Sequence, residues 1–541
     1  MAADSPAAGE LDQNLFWRLI EISTALSSER NTSRLFERIL DAAQDITHAD
    51  GGTLYLIRER EEGKPVLEFE ILRNDSLGLS LGGTSGIPIE LPPMPLYRED
   101  GTPNHSNIAT HTALTRRMEN IEDAYYAEHL DFSGTKAFDA RSGYRSKSFL
   151  TVPLCNHADE IIGVLQLLNA RNPATGETIA FAKALEPIVA ALASSAAIAL
   201  DNQILLQDHK DLLDAFIKVI AQAIDAKSAH TSAHCQRVPA LTEMIAQAAC
   251  DTTDGPLGDF SLDESDWYEL HVASWMHDCG KLATPDSVLD KATKLHLMLD
   301  GIDAVKTRFA AALSQIELRF LRQIAAQPEQ AEALQAMMEQ ELQVLRDDCL
   351  FIERANVGGE FMKPEDQARV RQIAGHHWVD HLGETKPMLT EAEVKYLCIE
   401  RGTLSHEERQ KINDHMKVTV QMLESLPFPK NLKRVPEYAG GHHEKMDGTG
   451  FPRGLKREQM SWPARMMAIA DIFEALTSSD RPYKAPMKIS QSLSILQKMK
   501  QQNHIDPDLY ELFVKSRVWE KYARVHLRPE QLDVEDASSY L

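Results

Sequence analysis

The sequence lacks paired cysteines. Only six cysteines occur among 541 residues, and no two of them form a Cys-x-x-Cys pair. Their scattered positions indicate neither a disulfide framework nor a thiolate zinc knuckle. We therefore expect a protein of a reducing compartment, most simply the cytoplasm.

Long apolar runs are also scarce. The first fifteen residues lack the basic and apolar regions of a secretory signal, and the longest apolar stretch, 188–200, is rich in Ala and Ser. A helix that spans a bilayer needs about 20 apolar residues, which is more than this stretch supplies. The sequence therefore predicts a soluble protein with no membrane partner.

Positive charge is in deficit. The chain has 57 Lys and Arg residues against 81 Asp and Glu residues, which gives a formal net charge of −24. This charge repels nucleic-acid backbones, so we expect no nucleic-acid partner. A phosphate ligand must then be captured locally, by metal ions or by a few placed cations.

Length and composition predict several globular domains, because the chain is 43% apolar. Residues 14–201 mix helical spacings with strand-like runs such as GGTLYLIRE and KPVLEFEILRN, whereas the polar segment 74–104 is typical of loops. KSFLTVPLCN and EIIGVLQLLNA, separated by a polar turn, predict an antiparallel pair of central strands. The N-terminal part is therefore expected to be an α+β domain.

This α+β domain resembles a GAF domain, the small-molecule sensor fold of phosphodiesterases and bacterial signalling proteins. The segment TKAFDARSGYRSKSFLTVPLCNHADEIIGVLQLLNA carries the resemblance. Cyclic-nucleotide-binding members have an Asn-Lys-Phe-Asp-Glu signature, of which only Asn169 and Phe181 remain here. The domain is therefore expected either to bind an unidentified small ligand or to serve as a dimerisation and relay module.

Residues 181–224 predict a helical connector. Apolar residues recur at helical spacing from Leu185 through Leu205 to Ile220, as one or two long helices require. A helix between a sensor and an output domain can form a parallel dimer seam, so we expect a homodimer. An ordinary amphipathic domain helix is the alternative.

Histidines and aspartates of metal-ligand type are grouped in the second half. His230 and His234 are four residues apart, which places both rings on one face of a helix. His277 and Asp278 are adjacent, and neighbouring helical side chains diverge by about 100°, so a bridging carboxylate suits them better than chelation of one ion. Further members lie in later segments: His415, His442, His443 and Asp471.

Separate blocks of this half resemble the HD-GYP family, the metal-dependent branch of the HD phosphohydrolases that hydrolyses cyclic di-GMP. They occur in family order over residues 211–541. The resemblance implies an all-α bundle that holds its metal ions between helices. The blocks are SAHTSAHCQRV, MHDCGKLATPDSVLDKATKL, GTLSHEERQKINDHMKVTVQML, GHHEKMDGTGFPRGLKREQMSWPARMMAIADIFEALTSSDRPYK and IDPDLYELFVKSRVWEKYA.

The resemblance also implies roles for individual residues. Two or three divalent first-row transition-metal ions, Fe or Mn, are expected, with Asp278 as their catalytic bridge and Lys281 as a contact of the scissile phosphate. His230 is either a ligand of a third ion or a surface histidine. The implied metal ligands are His230, His234, His277, Asp278, His415, His442, His443 and Asp471, and the implied substrate contacts are Lys281, Gly450, Phe451, Arg481 and Lys484.

The sequence departs from the family pattern at a few positions. Phe451 replaces the Tyr of the Gly-Tyr-Pro tripeptide, which keeps an aromatic ring for stacking but loses a hydroxyl. Glu474 stands where Asp is usual, and an extra Ser in LTSSDRP can shift the register of Arg481 by one residue. None of these changes removes an implied metal ligand.

The largest departure is an insertion at residues 296–401. It is rich in helix formers and predicts a helical hairpin or small bundle, which either caps the cleft, mediates dimer contacts, couples to the GAF domain or only packs. It also contains a second His-His pair, His376 and His377. This pair lacks the Glu, Asp-Gly and Gly-Phe-Pro that follow His442 and His443, so we expect a surface or structural role for it.

These features predict a cytoplasmic, metal-dependent phosphodiesterase that converts cyclic di-GMP to pGpG, or onward to GMP, under the control of its GAF domain. Two alternatives stay open. The first is a receptor that binds a cyclic dinucleotide without hydrolysing it. The second is a hydrolase of another cyclic dinucleotide, such as cyclic GMP-AMP.

Overall fold

The computed structural model divides the chain into two compact units that meet at residues 212 and 213. Each unit is described by itself. The structure describes residues 7–60, 64–127, 130–227, 234–297, 299–358, 361–479 and 486–541.

The first unit is built on an antiparallel sheet with the strand order β3-β2-β1-β7-β6-β5, to which β4 and β8 add short pairings. Its strands are β1 (Ala49–Glu59), β2 (Pro65–Asn74), β3 (Leu79–Gly82), β4 (Met94–Pro95), β5 (Glu119–Ile121), β6 (Phe149–Cys155), β7 (Ile161–Arg171) and β8 (Thr178–Ile179). Its helices are α1 (Ala7–Ser28), α2 (Thr32–Thr47), α3 (Ile108–Thr115), α4 (Ser133–Ser142) and the first part of α5 (Glu186–Lys227).

One face of this sheet carries the main core of the unit. Ile71, Leu54, Leu165 and Val152 form a buried row across β2, β1, β7 and β6. Helix α2 buries its apolar side in the same core, and Asn31 caps it by accepting a hydrogen bond from the Arg34 amide. The predicted α+β class and the antiparallel pairing of β6 with β7 are confirmed.

The prediction of loops throughout residues 74–104 was wrong in part. Strands β3 and β4 lie in this segment and pair with β2. Both strands are short, four and two residues long. An alternating pattern needs about four to eight residues to be recognised, so segments of this length give too little of it.

The second unit is largely helical, as predicted. It has two extended hydrophobic cores, and α16 contributes to both through Phe473 on one side and Met467 on the other. Its helices are the end of α5, α6 (His234–Cys250), α7 (Glu264–Met276), α8 (Asp286–Leu289), α9 (Ile302–Ala326), α10 (Ala331–Asn356), α11 (Pro364–Ala374), α12 (Glu391–Leu397), α13 (His406–Asn413), α14 (His415–Ser425), α15 (Val435–Gly440), α16 (Trp462–Thr477), α17 (Ile489–Gln501), α18 (Pro507–Lys515) and α19 (Val518–His526).

The segment predicted as an insertion has a hydrophobic core of its own. Helices α9 and α10 pack together, and Phe309, Leu345 and Ile352 are buried in this core. The segment is not wholly helical, because β9 (His377–Val379) and β10 (Thr385–Pro387) form an antiparallel hairpin in it. The all-α prediction for the second unit was wrong at this hairpin, whose strands are too short to show a period of two.

The connector is one continuous helix, α5, and the boundary between the units falls within it. Val189, Leu192 and Ala196 pack into the core of the first unit, whereas Ile217 and Ile224 belong to a core of the second. Among the described residues, the helix at 183–227 is long and apolar enough to cross a membrane. Because core helices of soluble proteins pass the same test, the absence of a membrane partner stays a prediction.

A buried carboxylate anchors the C-terminal helices of the second unit. Asp506 is fully buried, accepts hydrogen bonds from Arg457 Nε at 2.8 Å and Arg465 Nη1 at 2.6 Å, and caps α18 through the Leu509 amide. Burial alone would raise the pKa of Asp506, but the two guanidinium groups hold that pKa below its usual range. Its charge therefore stabilises the fold above the ordinary Asp pKa of about 4, and the effect is lost as the pH falls through the lowered pKa.

We expect Asp506→Ala to lower the free energy of unfolding of the second unit by about 3–5 kcal/mol, because it leaves the buried Arg465 without its partner. Urea denaturation at pH 7, followed by tryptophan fluorescence, measures the loss. Glu511→Gln is the matched control, since Glu511 forms half-exposed pairs with Lys500 and Lys515 and should cost less than about 1 kcal/mol. Equal stability of the Asp506 variant and the control would contradict this account.

Candidate metal centre

Three histidines of the predicted metal set each lie just beyond the end of a helix. His277 follows α7, His415 follows α13 with one residue between, and His442 follows α15 with one residue between. The last carbonyls of an α-helix have no partner within the helix. Each histidine supplies one, because its Nδ1 lies 2.7, 2.5 and 2.7 Å from the carbonyl oxygens of Ser274, Ile412 and Ala439, respectively.

These contacts fix which nitrogen carries the proton in the neutral form of each of the three rings. A carbonyl oxygen can only accept, so Nδ1 of each ring must carry a proton and donate it. The other nitrogen, Nε2, is then free to offer its lone pair. Fixing the ring in this way is the usual means by which proteins orient metal-binding histidines.

The predicted ligands converge into two adjacent clusters. Within each cluster, one possible ligand atom from every residue lies within 4.8 Å of the others. The first cluster contains His234, His277, Asp278 and Asp471, and the second contains His415, His442 and His443.

Asp278 lies between the two clusters. Its Oδ2 is 3.2 Å from Nε2 of both His234 and His277, while its Oδ1 is 3.2 Å from Nε2 of His415. The two oxygens of one carboxylate therefore face different clusters. Asp278 would therefore be a ligand shared by metal ions held in the two clusters.

Several buried polar atoms of the centre lack hydrogen-bond partners, as expected for atoms that bind metal ions. Nε2 of His277, His415 and His442 and Oδ1 of Asp278 are buried and make no hydrogen bond within the described part of the chain. Leaving such atoms unsatisfied costs about 1–3 kcal/mol each. Cations held among them would satisfy all four, and a set rich in imidazole suits first-row transition metals.

The charge states of the ligands also suit metal binding. Burial lowers the pKa of His443 to about 4 and holds the pKa of His442 well below its usual range, so both rings are neutral at pH 7. Burial would raise the pKa of Asp471, but the hydrogen bond and the charge of His234 hold it well below the usual range. Neutral imidazoles and ionised carboxylates are the forms that bind metal. His234 differs, because its hydrogen bonds to Asp278, Asp471 and Glu474 raise its pKa well above the usual range despite burial, so a metal ion would displace its proton.

His234 is oriented by a carboxylate rather than by a carbonyl. Its Nδ1 lies 2.5 Å from Glu474 Oε2, and Glu474 also accepts a hydrogen bond of 2.7 Å from Arg237 Nε. In the sequence, Glu474 stands out only as a departure from the usual Asp. Its spacing of one helical turn from Asp471 on α16 was the available clue to this role.

A cleft of about 270 Å³ opens onto the metal centre. Lys281 lines it and reaches Asp278 Oδ2 at 2.5 Å, and its pKa is raised by Asp278 and Asp471 despite burial, so the cleft holds a positive charge at pH 7. Ile412 and Asn413 also line the cleft and were missed, because no motif marks them.

The predicted substrate contacts differ in what the structure shows. Phe451 lines the cleft, but one face of its ring is stacked on His443, with centroids 4.9 Å apart and planes 16° apart. Gly450 packs so closely on Glu444 that an added Cβ would lie 2.5 Å from the Glu444 Cα, which requires glycine. Three other predicted site residues lie outside the described residues: His230, Arg481 and Lys484.

The second His-His pair is not brought into the centre. His377 is exposed on β9, and His376 Nε2 lies 3.3 Å from Asp348 Oδ2 within the inserted segment. Neither residue belongs to the two clusters. The choice of His442 and His443 over this pair therefore agrees with the geometry.

Comparison with known families matches both units. Residues 31–200 match the family model described as GAF domain, and residues 392–509 match the one described as HD domain. The chain carries a GAF domain and an HD domain. The HD match covers His415, His442, His443 and Asp471, whereas His234, His277 and Asp278 lie before it in the sequence.

Curated relatives match only part of the chain. The 3'3'-cGAMP-specific phosphodiesterase 3 of Vibrio cholerae is 34% identical over 151 residues, which is 28% of this chain and 30% of the relative. Cyclic di-GMP phosphodiesterase PA4108 of Pseudomonas aeruginosa is 45% identical over 76 residues, 14% of this chain and 17% of the relative. The chain thus spans less than a third of the length of either protein.

A solved structure also matches the GAF domain. It is the crystal structure of the GAF domain from Acinetobacter phosphoenolpyruvate-protein phosphotransferase, at 15% identity and a TM-score of 0.26. The match covers 36% of this chain and 97% of that chain.

We expect Asp278→Ala to lose most of its bound metal, because the change removes the carboxylate that faces both clusters. Elemental analysis of anaerobically purified protein measures metal content per chain. His377→Ala removes a histidine from the other His-His pair and should retain the wild-type content. Equal metal content in the two variants would contradict the assignment of the centre.

Proposed function

We propose that this chain is a metal-dependent phosphodiesterase that hydrolyses cyclic di-GMP to pGpG in the cytoplasm, with Fe or Mn as its metal. The observation that carries the proposal is the convergence of seven histidine and aspartate side chains, Asp278 among them, into two adjacent clusters beside a cleft that contains Lys281. Relatives named as cyclic di-GMP phosphodiesterases support this substrate class.

The residues of the cleft have distinct tasks in such a reaction. Bound metal ions supply a lowered pKa for a water molecule and neutralise phosphate charge. The water oxygen bonds to phosphorus as the bond from phosphorus to the 3′ oxygen breaks, and the departing oxygen takes up a proton. Lys281 positions a non-bridging phosphate oxygen and offsets its negative charge, which matters in a protein with a net charge of −24.

Cyclic GMP-AMP is a second candidate substrate. Two relatives named 3'3'-cGAMP-specific phosphodiesterases match this chain over 151 and 147 residues. The two dinucleotides share their phosphodiester chemistry and differ in one base. The metal centre and Lys281 can therefore serve both, and contacts to the bases decide between them.

We also propose that the GAF domain regulates this activity through a small ligand. The described residues of the first unit enclose a cavity of about 90 Å³ that is lined by side chains such as Thr53, Phe138 and Gln166. Helix α5, which leaves this unit, is the covalent path to the HD domain.

A homodimer is the proposed assembly. Four apolar residues on α5, each about half exposed, recur every seven residues: Ile198, Leu205, Leu212 and Val219. Asn202, His209 and Phe216 fall between them at the alternate spacing of four and three, so one of these three positions is apolar. Apolar residues that recur every seven positions can pack against the same residues of a second copy of the helix, as in a parallel coiled coil.

Turnover of cyclic di-GMP by the purified full chain with Mn²⁺ or Fe²⁺ tests the proposed activity. We expect pGpG as the product and a loss of at least about 100-fold in Asp278→Ala, because removing a ligand that faces both clusters costs at least as much as removing the supporting partner of a ligand. Parallel assays with 3′3′-cyclic GMP-AMP rank the two substrates. Binding of a cyclic dinucleotide by metal-loaded protein without any product would contradict the proposal and favour a receptor.

Light scattering coupled to size-exclusion chromatography tests the dimer. The double change Leu205→Asp and Leu212→Asp places charges on the exposed stripe and should yield a monomer. Gln207→Asp places a charge elsewhere on the same exposed part of α5 and should leave the dimer intact. A monomeric wild-type chain, or a double variant that stays dimeric, would contradict the proposed assembly.

A further inference from the structure

Glu444 is a buried carboxylate that the proposed reaction does not use. It follows His443 directly in the sequence and is 1% exposed. No ion pair within the described part of the chain involves it. A buried carboxyl group left without hydrogen bonds would be costly, so the identity of its donors shows what it holds.

Three consecutive backbone amides donate to Glu444. Its Oε1 accepts from the amides of Arg453 at 2.7 Å and Gly454 at 3.1 Å, and its Oε2 accepts from the Leu455 amide at 2.9 Å. The carboxylate thus fixes the far end of the loop 450–455.

The same loop carries the aromatic ring that covers His443. The Phe451 amide donates to the His443 carbonyl at 3.2 Å, and the Phe451 ring stacks on the imidazole. At the near end, Gly450 lies against the backbone of Glu444 and Lys445, without room for a Cβ. Both ends of the loop are therefore held by residue 444, and the stacked ring lies between them.

His443 needs this support more than the other histidines of the centre. The rings of His277, His415 and His442 are each fixed by a hydrogen bond from Nδ1, whereas the His443 ring has no hydrogen-bond partner among the residues that the structure describes. Its orientation depends on ring contacts with Phe451, His442 and His415. Of these three, Phe451 is the one outside the metal cluster.

We infer that Glu444 is a positioning residue for the second metal cluster: it holds the loop 450–455 so that Phe451 orients the His443 ring for metal binding. The inference rests on the proposed metal-dependent function. It predicts a defect confined to the cluster of His415, His442 and His443. The cluster that contains His234 and Asp471 should keep its affinity.

Titration of metal-free full chain with Mn²⁺, followed by calorimetry, tests this inference without any substrate. We expect Glu444→Gln to weaken one of the two classes of site by about 10–100-fold, as loss of a supporting partner of a metal ligand does, and to leave the other class unchanged. Phe451→Ala should weaken the same class. The double variant should show little further loss, because both changes interrupt one chain of contacts.

Glu437→Gln is the matched control. Glu437 is a half-buried carboxylate on α15 that also accepts from a backbone amide, that of Ser461 at 3.2 Å, but it does not touch the loop. Its variant should titrate like the wild type. If Glu444→Gln fails to fold, Phe451→Ala alone is expected to show the loss at one class of site.

Wild-type affinities in Phe451→Ala would overturn the inference, as would additive losses in the double variant or equal weakening of both classes of site. If the proposed function is wrong, a different result is expected, and it concerns the wild-type chain. If the wild-type chain binds Mn²⁺ at both classes of site but hydrolyses no cyclic dinucleotide, the proposed reaction is wrong and the role of Glu444 stands.

Discussion

The metal centre depends on hydrogen bonds that its histidines make on the side away from the metal. When Nδ1 of His277, His415 and His442 donates to a backbone carbonyl, Nε2 of each ring is left as a buried acceptor. Two of these nitrogens lie 3.2 Å from the Asp278 carboxylate, which is also an acceptor. In the neutral form of these rings, acceptors at that separation repel one another, and a metal ion held among them would relieve the repulsion. The outward hydrogen bonds therefore present Nε2 of each ring to the side where a metal ion would bind.

The same hydrogen bonds explain why the ligands lie where helices end. A helix leaves its last carbonyls unsatisfied, and a histidine one or two residues later can cap one of them. Each such histidine ends a helix and points its other nitrogen toward the centre. Because α7, α13 and α15 all end at the same place, three chain segments far apart in sequence deliver their rings together. Asp471 completes the set from α16, which packs between two cores.

Much of this centre could be predicted from the sequence, because metal binding restricts the residue type at each ligand position. His277, Asp278, His442 and His443 were recognised from motifs, and the structure brings them together. The partners that orient the ligands could not be recognised in this way. Glu474 and Glu444 act through contacts with residues of other segments. In the sequence they cannot be distinguished from acidic residues that make no such contacts.

In the fold, likewise, the long elements could be predicted from the periodicity of the sequence and the short strands could not. The long strands β6 and β7 and the helix α5 extend over enough residues to show a period, and they were predicted. Strands β3, β4, β9 and β10 have two to four residues each, and tertiary pairing rather than local pattern defines them. The stacking of Phe451 on His443 is likewise a tertiary contact, so the sequence analysis assigned that ring to the substrate alone.

The most direct test of the central claim is anomalous diffraction from crystals of the full chain loaded with Mn²⁺. The account predicts two anomalous peaks with the Asp278 carboxylate between them, one beside His277 and Asp471 and the other beside His442 and His443, with Nε2 of each helix-capping histidine facing its ion. A single peak outside these clusters, or coordination through Nδ1 of those histidines, would contradict it.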